Sequence, residues 1–324
     1  MVLINEPYEF PAAALALLRT QGPVYFAGEM YDSNFIEVVF VRLAERLDAR
    51  WAKHFPRLRF IVTPTTGLNH IDVDFFEHRG VEILSLRGRT AFLDSIRATA
   101  EHTLALALAL IRRVPQAVRH AREGGWDRYL FKGTELNGKR VLILGYGRIG
   151  RQLEQLYGAF GCEVRAHDSD STKVPMHLRC DYPKVLTETD VLSIHVNLTP
   201  ETFGLVDAAQ LECLPANAIV INTARGEIVD QSALLRMLRD GRLAGAALDV
   251  LHNEPNPFDN QTVELVAAVD EDRLLLTPHI GGFTDESLNK VEIHMAEVLV
   301  SRLRETSVAS ATILGARSDD LRWH

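Results

Sequence analysis

Only three cysteines occur in 324 residues, and Cys162, Cys180 and Cys213 stand singly, with no Cys-x-x-Cys or other metal-ligand spacing. Neither a disulfide framework nor a metal site is expected, and the thiols read as reduced side chains of a cytoplasmic protein. Long apolar runs are missing as well. Ala12–Leu18 is too short to span a bilayer, and Leu104–Ile111, the most apolar helical stretch, is stopped by Arg112 and Arg113. The opening MVLINEPYEF has no basic segment ahead of an apolar core, so neither membrane insertion nor export is expected. There is no block of like charge. Lysine and arginine are scattered, and a net charge of −8 speaks against a nucleic-acid surface. Repeats and low-complexity tracts are also absent.

What the chain does have is the run Arg140–Gly150, RVLILGYGRIG. Val141 to Leu144 are apolar without alternation, as in a strand buried on both faces of a parallel sheet. Gly145 can supply the sharp turn, Gly147 lets a pyrophosphate approach the backbone, and Gly150 allows the following helix to lie close on the strand. The helix start offers unpaired N–H groups to phosphate oxygens. A second strand, Cys162–Ala166, leads to His167-Asp168. Asp168 follows Gly150 by about twenty residues, where a carboxylate accepts from ribose hydroxyls and repels a 2′-phosphate. NAD is therefore expected over NADP. An ordinary turn and a solvated acid are the plain alternative, which the ordered set of strand, glycines, helix and acid makes the weaker reading.

A chain of this length suits two domains. Strands are expected at Val24–Ala27, Leu58–Val62 and Val81–Leu86, with helices from Asn34 to about Leu47 and over Val73–Arg79. A long helix is expected from about Arg97 to Arg122, kinked at Pro115. Further strands follow at Val191–Val196, Ala218–Asn222, Ala246–Val250 and Leu274–Thr277. The last helix, from Asp285 to about Glu305, has no strand after it and is expected to rejoin the first domain. The fold class is α/β with two domains: residues 1–99 plus 295–324 as a smaller, flavodoxin-like substrate domain, and 100–294 as a Rossmann-type parallel-sheet NAD-binding domain. A frayed tail is expected at Ala316–His324.

Ligands of open parallel sheets bind at the carboxyl ends of the strands, and three such ends carry Arg225, Glu254 and His279. An arginine fork can hold a carboxylate bidentately and polarise an adjacent keto oxygen. An imidazole can take a hydroxyl proton as hydride leaves, or return it. A carboxylate on the other ring nitrogen orients the ring. Each residue singly also admits a plain role as a strand-end ion pair, a loop acid or a turn residue. Together they point to a site for an α-keto or α-hydroxy acid.

Thr134–Gly150 (TELNGKRVLILGYGRIG), Ile221–Asp230 (INTARGEIVD), Gly245–Val250 (GAALDV) and Thr277–Gly282 (TPHIGG) closely resemble the D-isomer-specific 2-hydroxyacid dehydrogenases. Among these the chain looks most like the phosphoglycerate dehydrogenase branch. The resemblance runs from about Leu58 to Leu303. It implies an oxidoreductase that moves a hydride between NAD and C2 of a small D-2-hydroxy or 2-oxo acid. Arg225, Glu254 and His279 match its substrate-binding arginine, histidine-orienting acid and acid/base histidine. Arg148 and Ile149 match its pyrophosphate contacts, and Asp168 its ribose acid. Thr223, Ala224, Asp249 and Gly281 match cofactor-lining positions, Asp249 beside the nicotinamide carboxamide. Val196, Asn197 and Thr202 match the loop over the adenosine. Thr65, Thr66 and Gly67 match the turn that presents N–H groups to the substrate carboxylate, with Thr66 also touching the cofactor.

The chain departs from that pattern in the turn, which reads Thr65-Thr66-Gly67-Leu68-Asn69-His70, and at Thr63, where the phosphoglycerate branch usually has arginine. It departs again in a longer loop, Ser85–Ala100, that carries Arg87, Arg89 and Arg97. Arg87 and Arg89 are expected to bind a second anionic group of the substrate, against the plain reading of a solvated loop. Gly124–Gly138 resembles the arm by which relatives embrace a partner, and its Trp126, Tyr129, Leu130 and Phe131 suggest a homodimer through the NAD-binding domain. Relatives that act as NAD(H)-sensing co-repressors supply the alternative function, a binding protein without turnover. A formate dehydrogenase-like activity is disfavoured by Glu254.

Overall fold

Short aliphatic and β-branched runs without polar alternation become parallel strands covered on both faces. The computed structural model describes residues 1–319, with side chains to residue 306. The chain divides into two compact units, Met1–Arg89 with the chain from Asp285 on, and Thr90–Thr284. Unit 1 holds β1 (Val2–Ile4), β2 (Val24–Phe26), β3 (Val38–Phe40), β4 (Phe60–Thr63) and β5 (Glu82–Ser85). They pair in the order β2-β1-β3-β4-β5, all parallel. This is the flavodoxin-like order.

Unit 2 holds β6 (Arg140–Leu144), β7 (Glu163–His167), β8 (Val191–Ile194), β9 (Ile219–Asn222), β10 (Gly245–Leu248) and β11 (Leu274–Leu276), in the order β11-β10-β9-β8-β6-β7. Successive residues of β6 enter opposite cores. Leu142 and Leu144 pack with Leu234, Leu235 and Leu238, whereas Val141 and Ile143 pack with Leu106, Leu110, Leu153 and Tyr157. Helices therefore cover both faces, which is why these strands show no alternation. The chain steps out from β6 to β7, then returns to β8 on the other side of β6. In sheets of this topology, ligands bind at the carboxyl ends of the strands beside that switch point.

Three expectations are corrected. No helix runs from Asn34 to Leu47: a 3₁₀ turn at Ser33–Phe35 is followed by β3. Val38, Val39 and Phe40 are buried between β1 and β4, and β-branched residues at consecutive positions suit a strand better than a helix. The long helix from Arg97 to Arg122 is two helices, Ala98–Ile111 and Val114–Arg122. The break falls at Arg113, left-handed at φ 54°, and Pro115 lies in the first turn of the second helix, where its missing N–H costs nothing. The third correction concerns the last helix, which runs over Asp285–Asp319, well past Glu305. The tail Ala316–His324 lies outside the residues described with side chains.

The unit boundaries at 89/90 and 284/285 sit about ten residues before the expected 99/100 and 294/295. Hydrogen bonds account for the difference. Arg148 Nη1 donates to Ile96 O at 2.7 Å, and Gln152 Nε2 to Ile96 O at 3.2 Å, tying that segment to the helix after the glycine turn. Glu292, on the last helix, is paired at 2.6 Å with Arg42 of unit 1. Burial pushes the Glu292 carboxyl up to about 7 against the pull of that guanidinium.

Among the described residues no helix is long and apolar enough to cross a membrane, and no group of three or more His, Cys, Asp or Glu is placed to hold a metal ion.

Candidate active site

The glycine turn lies at the switch point. Gly145 adopts φ 99°, and a β-carbon there would come within 2.6 Å of the His195 carbonyl carbon and the Val196 nitrogen. Only glycine meets both demands. Gly150 faces Gly145 O so closely that a β-carbon would lie 2.3 Å from it, which seats the helix Arg148–Ala159 against the strand. Gly147 caps that helix and has no atom within 4 Å of where a β-carbon would stand. The helix N-terminus therefore has open space in front of it, as an anionic phosphate requires. The Arg148 guanidinium turns away to Ile96 O, and burial lowers its pKa. Ile149 is half-buried against the apolar core behind the turn.

Asp168 ends β7 beside the turn. One carboxylate oxygen accepts from Tyr146 N at 3.0 Å and the other from Asp170 N at 3.0 Å, so the acid straps the glycine turn it stands next to. Lys173 Nζ lies 3.4 Å away. After β8, His195 N is tied to Leu144 O at 2.7 Å, and burial presses the imidazole down to about 3, so the ring is neutral. Val196 packs against the core. The loop beyond is closed on itself by Thr202 Oγ1, which donates to Asn197 O at 2.6 Å and accepts from Thr199 N at 2.8 Å.

β9 delivers Thr223, Ala224 and Arg225. The side chain of Asn222, buried beneath them, accepts from Ala224 N at 3.0 Å and donates to Arg225 O at 2.8 Å, fixing the turn. Thr223 Oγ1 is 2.8 Å from Thr103 Oγ1 on the helix Ala98–Ile111. Arg225 Nη1 donates to Ala224 O at 2.6 Å. Burial lowers the arginine's pKa, and Glu254 and Glu227 oppose that shift. Gly226 then passes so near the next strand end that a β-carbon would lie 2.0 Å from the Leu251 carbonyl carbon. That contact brings the Arg225 turn against the segment leading to Glu254.

Glu254 uses one oxygen to accept from Leu251 N at 3.0 Å and offers the other to His279 Nδ1 at 2.5 Å. Arg225, Glu254 and His279 are thus one neighbourhood, built from the ends of β9, β10 and β11. His279 is left-handed at φ 54°, a conformation that costs a residue with a β-carbon about 1 kcal/mol. Its N–H, bonded to Asp249 O at 2.8 Å and Thr277 O at 3.0 Å, helps hold it there. Asp249 is buried and accepts from Thr277 Oγ1, Ile280 N and Gly281 N at 2.6, 2.9 and 2.8 Å. Burial would raise its pKa, but these donors and His102 hold it below the ordinary carboxylate value.

The turn Thr65-Thr66-Gly67 belongs to unit 1. Thr65 Oγ1 donates to Gly67 O at 2.8 Å and lies 3.0 Å from the buried Thr63 hydroxyl, while Thr66 is exposed. Leu86 N donates to Thr65 O at 3.0 Å, so the loop with exposed Arg87 starts beside this turn, and Arg89 Nε bonds back to Ser85 O at 3.2 Å. Sequence reasoning missed Asn222, Thr103 and His102. All three point into the site's supporting layer, and a helix reading AEHTLAL carries no local sign of partners far along the chain.

Residues 104–281 match the family model for the D-isomer specific 2-hydroxyacid dehydrogenase, NAD binding domain. D-3-phosphoglycerate dehydrogenase of Archaeoglobus fulgidus is 34% identical over 86% of this chain and 51% of its own length. The chain thus spans about half the length of that relative. Glyoxylate reductase of Thermofilum pendens is 33% identical over 94% of this chain and 85% of its own. A crystal structure of a Thermus thermophilus protein matches at 30% identity with a TM-score of 0.77, covering 94% of this chain and 97% of that one. D-lactate dehydrogenase from Aquifex aeolicus complexed with NAD and lactic acid, at 24% identity and a TM-score of 0.79 over 94% and 96% of the two chains, shares the fold. NAD is the cofactor of the matched domain, and the glycine turn, open helix terminus and Asp168 fit it. With matched sequence over most of its length, the chain belongs to the D-isomer specific 2-hydroxyacid dehydrogenases.

Proposed function

We propose that the protein is an NAD-dependent dehydrogenase acting at C2 of a small D-2-hydroxy acid or its 2-oxo counterpart. The observation that carries this reading is the 2.5 Å contact between Glu254 and His279 Nδ1, with the Arg225 turn packed against the same segment. When bound, NAD supplies the hydride acceptor or donor. Arg225 holds the substrate carboxylate with its fork and draws electron density from the C2 oxygen. With Nδ1 engaged by Glu254, Nε2 of His279 is the nitrogen left to exchange a proton with that oxygen. Asp168 holds the ribose of the adenosine. Thr65, Thr66 and Gly67 are assigned to present backbone N–H groups to the carboxylate.

The test is loss of NADH absorbance against a panel of 2-oxo acids that includes phosphorylated and dicarboxylic members. Turnover on a subset supports the reading. No turnover on any member, with NADH binding intact, would end it and favour an NAD(H)-sensing binding protein.

Arg87 and Arg89 extend the proposal to the substrate's second anionic group, because Thr63 leaves no arginine in the adjoining turn. Replacing both with alanine is expected to raise KM for the doubly anionic members by about tenfold, as loss of one charge-assisted hydrogen bond would. Unchanged KM for every anionic member would remove these two residues from the site.

A homodimer through unit 2 completes the proposal. Trp126 and Tyr129 stand 93% and 86% exposed, too much aromatic surface in one loop for a chain without a partner. Light scattering is expected to give twice the chain mass at micromolar concentration, and a monomer there would discard the dimer.

A further inference from the structure

The loop that carries His279, Thr277–Gly281, depends on one side chain. Asp249 accepts from Thr277 Oγ1 and Ile280 N with one oxygen and from Gly281 N with the other, and its backbone carbonyl accepts from His279 N. Donors on both sides of His279 thus converge on a single residue. The loop packs tightly on it: a β-carbon at Gly281 would lie 2.9 Å from Asp249 Oδ2 and 3.6 Å from His102 Cδ2.

Asp249 is in turn held by a residue from a different element. His102 Nε2 stands 3.2 Å from Asp249 Oδ1 and 3.2 Å from Thr277 Oγ1. The Thr277 proton is directed to Asp249, so both atoms facing Nε2 are acceptors, and Nε2 carries the proton between them. His102 lies on the helix Ala98–Ile111, whose Ala100, Leu106, Ala107 and Leu110 are buried in the core under the sheet. The imidazole therefore anchors the loop to a rigid element rather than to another loop.

We propose that His102 is a positioning residue for His279: through Asp249 and Thr277 it sets the seating of the loop, and hence the place of the acid/base imidazole. This rests on the dehydrogenase reading above. Nothing in it requires His102 to touch substrate or cofactor.

The test compares His102→Leu, which keeps bulk and removes the donor, with His102→Gln, whose terminal amide can donate from a similar position. The leucine variant is expected to lose about 10- to 100-fold in kcat, as a displaced reacting group does, while KM changes little. Deuterium exchange at the amides of Ile280 and Gly281 is expected to run about tenfold faster, the size of one weakened hydrogen bond. The glutamine variant is expected to recover most of both.

A purely structural role for His102 would lower the melting temperature without changing the turnover of the folded enzyme. The proposal is overturned by unchanged exchange in His102→Leu, by faster exchange with kcat intact, or by a glutamine variant as impaired as the leucine one. A parent chain without turnover would sink the dehydrogenase reading alone, because the exchange rates still decide whether His102 seats the loop. Should His102→Leu fail to fold, His102→Asn, too short to reach both oxygens, takes its place.

Discussion

Replacing His279 with alanine is expected to lower kcat by roughly 10²–10⁴, the usual contribution of a positioned proton donor or acceptor, while NADH binding stays within about twofold. The size follows from the balance of the reaction: a hydride leaving or reaching C2 makes the C2 oxygen lose or gain a proton, respectively, and His279 is proposed to exchange it. The backbone complicates the choice of variant. At φ 54°, alanine has no side chain to make local contacts that offset left-handed strain, whereas asparagine tolerates that region. His279→Asn therefore keeps the loop and removes the acid/base. Both variants are expected to be impaired alike, with His279→Asn closer to the parent in melting temperature. An asparagine variant that retained parental kcat would mean that the proton moves by another route, and the assignment would have to be given up.

Much of this site was legible because its demands are local. Gly145 and Gly150 each answer a separate steric need within a few residues, and the strands of unit 2 show themselves as unbroken apolar runs because helices cover both faces. Unit 1 was less legible for a physical reason. β1 and β3 are three residues each, too short for any period to be counted. What makes Val38–Phe40 a strand is pairing with Val2–Ile4 and Phe60–Val62, partners far away in the chain. The break near Pro115 was placed too late because proline suits the first turn of a helix as well as it disrupts the middle. Asp249 shows another limit. The family resemblance matched it to a cofactor-lining position, but no pattern indicated that its carboxylate gathers the loop carrying His279. Nor could a histidine inside an apolar helix be matched with an aspartate so much further on.

The second large effect is expected at Arg225. If its fork holds the substrate carboxylate, Arg225→Lys keeps the charge but can supply only one of two parallel hydrogen bonds. A charge-assisted bond contributes about 1.5–3 kcal/mol. The lysine variant should therefore lose roughly 10- to 100-fold in kcat/KM, and Arg225→Ala, lacking both bonds, roughly 10²–10⁴-fold. The loss should be divided between KM and kcat, since the same guanidinium binds the carboxylate in the ground state and draws on the C2 oxygen as charge develops there. Because Asn222 clamps the main chain at Ala224 and Arg225, truncating the side chain leaves the turn in place, so NADH affinity is expected to persist. Added guanidinium ion should then restore part of the rate to Arg225→Ala. A lysine variant within about twofold of the parent would show that charge alone suffices and that the fork plays no part. Loss of NADH binding in place of substrate binding would assign Arg225 to the cofactor instead, and the carboxylate would need another anchor.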